Sequence, residues 1–317
     1  MKILIKGKKN YLATILIGEK YFNKWKKYVY PSWKIYCKKN NVGLIIFKKD
    51  LISKKNKFWK KPTWQKMLIG SSVLKSKINI NIENICYIDA DILINPYSPN
   101  IFKYHNKNKF SLISSRLRIP YDYNSTVKKI SFFRKKFYYK NYPLDSALLF
   151  TNKQTYKHHK LKVMKDEACM GLFIFNVKKF SKEMECWFYK YKSDVESFTG
   201  GGDQIHYNYE IQNNCKVNWL SYKFQCIWNY EMVNYYPFLY SKKFYTNKLI
   251  KECILNSLFN NYFLHFAGSW HESDLLYKVQ LKKIDLSSKS KNKFFEYLDK
   301  KVIGKARKRI LPRTKFS

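Results

Sequence analysis

Residues 84–95 read NICYIDADILIN, an apolar run that enters Asp89-Ala90-Asp91 and resumes at once on the other side. Carboxylates placed among core-building residues are costly unless they are paired, hydrogen-bonded or bound to a cation. In an extended segment, residues two apart share a face, so both carboxylates can reach one ion. Two hard oxygen donors suit Mn²⁺ or Mg²⁺, which take one or two carboxylates together with substrate phosphates. The plainer reading is an acidic turn that ends a strand.

Three further places carry chemistry. His265 sits in YFLHFAG, where it is either a core histidine bonded to a carbonyl or a neutral imidazole completing an Asp-Asp-His face. Asp203 and Gln204 follow three glycines in GGGDQIHYN. The aspartate can cap the helix that starts there, and the same helix start can draw an anion toward the pair. Lys66 is either a contact to a phosphorylated ligand or an ordinary solvated helix lysine, and Trp64 reads as packing. Arg116 and Arg118 could line a pocket after the fourth strand. His271 reads as a loop residue.

The elements that must position these residues alternate. YLATILIG (11–18) is a buried strand, and YFNKWKKYVYPSWKIYCKKNN reads as helix interrupted or restarted at Pro31. VGLIIF (42–47) is a second strand, and TWQKMLIGSSVLKS is a helix with Thr63 as its cap. NICYIDADILI supplies the third strand. The β-α-β-α-β order predicts a mostly parallel sheet with helices on its faces, and ligands bind such sheets at the carboxyl ends of the strands. Downstream come the strand FSLISS, a basic aromatic stretch of helices and loops forming a side lobe at about 118–165, the strand CMGLFIFNV and the amphipathic helix KKFSKEMECWFYKYK. KVNWLSYKF and NYFLHFAGSW give further strand-and-loop units. We read residues 1–285 as one domain and 286–317 as a basic helical tail.

Bulk composition narrows the class. The formal net charge is +40, and only six of the 62 basic residues are arginine. Specific phosphate and base recognition favours the flat guanidinium fork, so lysines spread over the whole chain read as general surface solvation rather than a nucleic-acid interface. A non-catalytic, lysine-rich protein binding nucleic acid or anionic surfaces is the alternative reading. Seven scattered cysteines with no CxxC argue against a zinc knuckle or a disulfide framework and for a reducing compartment. No stretch approaches the ~20 apolar residues of a membrane span, and no signal peptide is read at the N-terminus. The expectation is a cytoplasmic protein. Its basic tail either attaches it peripherally to an anionic membrane or is simply solvated.

YIDADILINPYSPNIF resembles the D-x-D segment of nucleotide-sugar glycosyltransferases of the GT-A fold. Four other segments agree in order. FWKKPTWQKMLIG is similar to their W/Y-x-K helix, CMGLFIFNVKKF to their glycine-led strand, GGGDQIHYN to their D-Q-x-x-x-N motif and FLHFAGSW to their late H-F-x-G motif. The resemblance, to retaining families 8 and 34 in particular, runs from about Tyr11 to His271. It implies a GT-A fold and transfer of a hexose from a nucleotide diphosphate sugar, UDP above all, to a glycan or glycolipid hydroxyl with retention. By the same resemblance Asp89, Asp91 and His265 hold Mn²⁺ or Mg²⁺, and Ala13, Thr14, Lys66, Ala90 and Gly268 line the donor. Asp203 and Gln204 then act beside the anomeric carbon; an inverting enzyme would instead need a carboxylate base, for which Asp203 is the candidate. The chain departs from family 8 after Gly268, where Ser269-Trp270-His271 replaces G-x-x-K-P-W. Either another cation must then hold the diphosphate, or the family-34 style H-F-A-G ending applies. It also departs at CMG, where polar residues usually precede the glycine.

Overall fold

The computed structural model describes residues 1–76, 81–138, 147–199, 202–241, 246–268 and 271–279 of the 317-residue chain. The tail expected at 286–317, residues 139–146 of the expected lobe, and Ser269 and Trp270 lie outside the described residues.

Ten strands are present among the described residues: β1 (Lys2–Ile5), β2 (Asn10–Ile15), β3 (Gly43–Phe47), β4 (Asn84–Ile88), β5 (Ile92–Ile94), β6 (Phe110–Ser114), β7 (Ala168–Asn176), β8 (Val217–Leu220), β9 (Cys226–Ile227) and β10 (Phe263–His265). Seven form the central sheet in the order β1-β3-β2-β4-β7-β6-β8, and three form a small sheet in the order β5-β10-β9. Helices α1 (Glu19–Tyr28) and α2 (Tyr30–Asn40) follow β2. After β3 come α3 (Pro62–Gln65) and α4 (Ile69–Leu74), joined by a 3-10 turn at Lys66–Leu68. The later helices are α5 (Tyr123–Phe137), α6 (Asn152–His158), α7 (Val177–Lys190), α8 (Val195–Thr199), α9 (Gln204–Asn214), α10 (Trp228–Tyr235), α11 (Asn247–Asn260) and α12 (His271–Asp274).

The central strands are apolar on both faces because helices cover both. Leu12, Leu44, Ile46, Cys86, Ile88, Leu172 and Ile174 join one core with Trp25, Trp33 and Tyr36 of α1 and α2. Their neighbours in sequence, Tyr11, Ala13, Ile45, Tyr87, Phe173 and Phe175, point the other way into a second core with Trp64, Met67, Met184 and Phe188. This is the period-two alternation of a strand buried on both sides. Each such side chain taken fully out of water stabilises the fold by roughly 1.5–3 kcal/mol, which fixes the strand register.

The structure corrects three expectations. The sheet is mixed rather than mostly parallel. β2 runs parallel to β3 and β4, whereas β7 is antiparallel to both β4 and β6, and β1 is an antiparallel edge strand beside β3. β1 went unread because its apolar residues are broken by lysines, and on an edge only a short apolar face is needed. The expected third strand is two strands: β4 stops at Ile88, and Ile92–Ile94 belongs to the other sheet. Finally, Thr63 is not the cap. The helix begins at Pro62 with Lys61 at the N-cap position, because the fixed φ of proline suits the first helical turn. The break at Pro31 is as expected, with α2 starting at Tyr30 and proline in its first turn.

Candidate metal and sugar-transfer site

Asp89 and Asp91 occupy the turn where the chain leaves the large sheet for the small one. Two backbone hydrogen bonds tie that turn to the neighbouring chain on either side. The Asp89 N–H donates to Gly171 O of β7 at 2.8 Å, and the Phe266 N–H donates to Asp91 O at 3.1 Å. β10 lies antiparallel to β5 with His265 opposite Ile92, so the histidine arrives beside Asp91 although roughly 170 residues separate them in sequence. His265 Nε2 is 3.3 Å from Asp91 Oδ1 and 3.9 Å from Asp89 Oδ2. One ligand atom from each of the three residues lies within 4.8 Å of the others.

The residues fit a divalent cation. Metal–oxygen bonds of about 2.1 Å need donor atoms roughly 3–4 Å apart, and the distances from His265 to the carboxylates already have that spacing. Asp91 Oδ1 is buried and accepts no hydrogen bond, while the two carboxylates as side chains remain 32% and 27% exposed. An ion there would meet protein on one side and a ligand on the other. The space depends on a glycine. A Cβ built on Gly171 would stand 2.4 Å from His265 Cε1 and 2.7 Å from Asp89 Oδ2. Residue 171 therefore has to lack a side chain for the three ligands to converge.

Groups around the ligands orient them. The Tyr87 hydroxyl donates to Asp89 Oδ1 at 2.5 Å. At the far side of the imidazole, Nδ1 lies 3.2 Å from Gln225 Nε2 and 3.6 Å from Cys169 Sγ. A histidine that gives Nε2 to a metal keeps its proton on Nδ1 and needs an acceptor there. Gln225 Oε1, buried and without a partner, can supply one by rotation of its amide. Burial opposes a charge on His265. Cys169 and Asp91 outweigh it and raise the imidazole well above its ordinary value. Tyr21 of α1 is pushed up as well, first by burial and then by Asp91 and Asp89.

Lys66 and Asp203 meet behind this group. Both are buried, and Lys66 Nζ lies 2.9 Å from Asp203 Oδ2 and donates to Met170 O at 2.8 Å. Of the two sequence readings of Lys66, the solvated lysine is excluded. Burial works against its charge, but Asp203 and Asp89 raise its pKa above the usual lysine value. Asp203 does stand at the N-cap position of α9, yet its side chain accepts no hydrogen bond from the helix amides. The lysine has taken that carboxylate.

A chamber of about 270 Å³ lies beside the ligands, walled in part by Arg116, Glu167, Cys169, Gln204, Tyr230 and Gly268. Gly268 turns into it with φ +92°, a conformation that favours glycine. Ala13 and Thr14 are fully buried in β2, and Ala13 pairs with Tyr87 of β4. Ala90 is buried between the two aspartates. Trp64 is buried among Tyr191, His206 and Tyr207, as packing requires. His271 starts α12 on the surface, its ring against Tyr138. Arg118 is mostly exposed and pairs with Asp166. Sequence reasoning missed Tyr87, Gln225 and Glu167. Tyr87 had a signal, since it lies two residues before Asp89 on the same strand face. Glu167, in KDEAC, had none.

In overall shape the chain is similar to several solved glycosyltransferases. One is involved in the glycosylation of the major capsid of PBCV-1, at 8% identity over 86% of this chain and 100% of the other, with a TM-score of 0.45. Another is the galactosyltransferase LgtC in complex with donor and acceptor sugar analogues, at 10% identity over 89% and 99%, TM-score 0.44. A third is the bifunctional glycosyltransferase WbbM, at 9% identity over 93% of this chain but only 52% of the other, TM-score 0.48. No protein-family model and no curated protein matches the sequence. Likeness at this level concerns the course of the chain, and the chemistry is read from the side chains. No described helix is long and apolar enough to cross a membrane.

Proposed function

We propose that this protein is a metal-dependent glycosyltransferase that moves a hexose from a nucleotide diphosphate sugar, UDP-linked first among them, to a hydroxyl of a glycan or glycolipid with retention. The observation that supports it most is the convergence of Asp89, Asp91 and His265 around a glycine whose Cβ would fill the space between them. Mn²⁺ or Mg²⁺ bound there would act as a Lewis acid on the leaving diphosphate. Asp89 and Asp91 would hold that ion from one side and leave the other to phosphate oxygens. Tyr87 fixes the carboxylate rotamer, and the buried Lys66–Asp203 pair sets the floor of the donor site. Ala13 and Thr14, small and fully buried toward the end of β2, would lie beneath the nucleoside rather than line it. Gln204 and Gly268, on the wall of the neighbouring chamber, would face the sugar. The lysine-rich polyanion binder supplies no reason for these residues to meet.

A panel of UDP- and GDP-sugars assayed for hydrolysis and transfer, with and without Mn²⁺, tests the proposal. Wild-type turnover should need the ion and should be abolished in Asp91→Asn. Turnover that survives EDTA, or an Asp91→Asn enzyme as active as the wild type, would sink it.

A further inference from the structure

Glu167 is the one buried carboxylate among the chamber-lining residues named above, and the metal site does not use it. It stands just before β7 with two partners. Arg116 Nε lies 3.3 Å from its Oε2, and Gln204 Nε2 donates to its Oε1 at 2.6 Å. Arg116 is itself buried, held by Phe150 O and by the ring of Tyr123, 4.2 Å from its guanidinium carbon. The carboxylate is therefore clamped from one side and offers one oxygen to Gln204.

Burial pushes the Glu167 carboxyl up, and the Arg116 guanidinium beside it favours the ionised form. While ionised it has no proton to give, so only the NH₂ end of an amide can face it at that distance. The carbonyl end of Gln204 must then point away. No described residue donates to Gln204 Oε1, and the side chain lines the chamber. We infer that Glu167, backed by Arg116, is a positioning residue that commits Gln204 to present its carbonyl oxygen rather than its NH₂ to the sugar. A fixed dipole with its negative end at the chamber stabilises positive charge as it develops on an anomeric carbon, and it needs no reorganisation at the moment of reaction. An unheld glutamine would sample both orientations and present the wrong end part of the time. The inference rests on the glycosyltransferase reading for the charge it serves, but the amide orientation stands on the hydrogen bond alone.

Glu167→Gln keeps the shape and removes the commitment, because an amide at 167 can donate or accept. The expected result is a fall in kcat of at least about tenfold, with KM for the donor and Mn²⁺ affinity within about twofold of wild type. The double variant Glu167→Gln with Gln204→Glu reverses the pair and again places an oxygen toward the chamber, so it should recover kcat relative to either single change. A merely structural role would instead move the melting temperature and leave kcat per folded molecule alone. Unchanged kcat in Glu167→Gln, or no recovery in the reversed pair when all variants melt like wild type, overturns the inference. ¹⁵N spectra of the Gln204 side-chain amide separate this from failure of the functional reading. A slowly exchanging NH₂ pair that is lost in Glu167→Gln supports the geometry even if no sugar is turned over. A solvent-like NH₂ pair in the wild type refutes it.

Discussion

Gly171→Ala adds one methyl group at the place where the three candidate ligands meet. The new Cβ would lie 2.4 Å from His265 Cε1, 2.7 Å from Asp89 Oδ2 and 3.0 Å from His265 Nε2. Carbon atoms pack at about 3.5–4.0 Å, so the imidazole has to retreat by about 1 Å. The backbone cannot absorb that movement. β7 lies between β4 and β6, and Gly171 O accepts the hydrogen bond from Asp89. Overpacking of this kind costs about 1–3 kcal/mol of stability. The effect on the ion is larger, because ligand positions are tolerated only within about 0.2 Å. Displacing two of three ligands by several times that tolerance should weaken Mn²⁺ by at least about 100-fold, or roughly 2.7 kcal/mol. The assay is a Mn²⁺ titration followed by the electron paramagnetic resonance of the free ion, paired with thermal melting. Saturating Mn²⁺ should raise the melting temperature of the wild type and leave that of Gly171→Ala where it was. A folded Gly171→Ala protein with wild-type Mn²⁺ affinity would refute the convergence argument.

Lys66→Met should cost about 3–5 kcal/mol, because it strands the buried Asp203 carboxylate without its cation. Adding Asp203→Asn should recover much of the loss, as chemical denaturation can measure, and a loss below about 1 kcal/mol would mean the pair is solvated. His206 is buried and lowered to about 4, by burial first and then by His159 and Lys190. Its neutral form is the folded one, so its contribution is complete above the unfolded value of about 6.5. That contribution falls as pH drops from there toward 4, and His206→Gln should flatten that part of the melting-temperature profile. Equal pH slopes in the two proteins between pH 6.5 and 4 would count against the burial argument.

Much of the order of strands and helices was legible because it follows from apolar runs and breakers: Pro31 marks the restart of a helix, and GLIIF, short and bounded by lysines and glycine, reads as a buried strand. The mixed direction of the sheet was not, since a chain reversal between β4 and β7 leaves no local trace in either strand. Asp89, Asp91 and His265 were legible as residue types in context. Their meeting depends on the pairing of β10 with β5, which short apolar triplets do not announce. Lys66 illustrates the limit of composition. Among so many lysines nothing local distinguishes a buried one, and only the distant Asp203 makes the burial of Lys66 tolerable. Glu167 shows the same limit, because its partners Arg116 and Gln204 come from two other parts of the chain.

The most direct test of the metal-held nucleotide site is a calorimetric titration of UDP into the wild-type protein with Mn²⁺, with EDTA, and into Asp91→Asn with Mn²⁺. One equivalent of UDP should bind in the first case and fail to bind measurably in the other two. UDP binding of equal strength in all three would contradict the account.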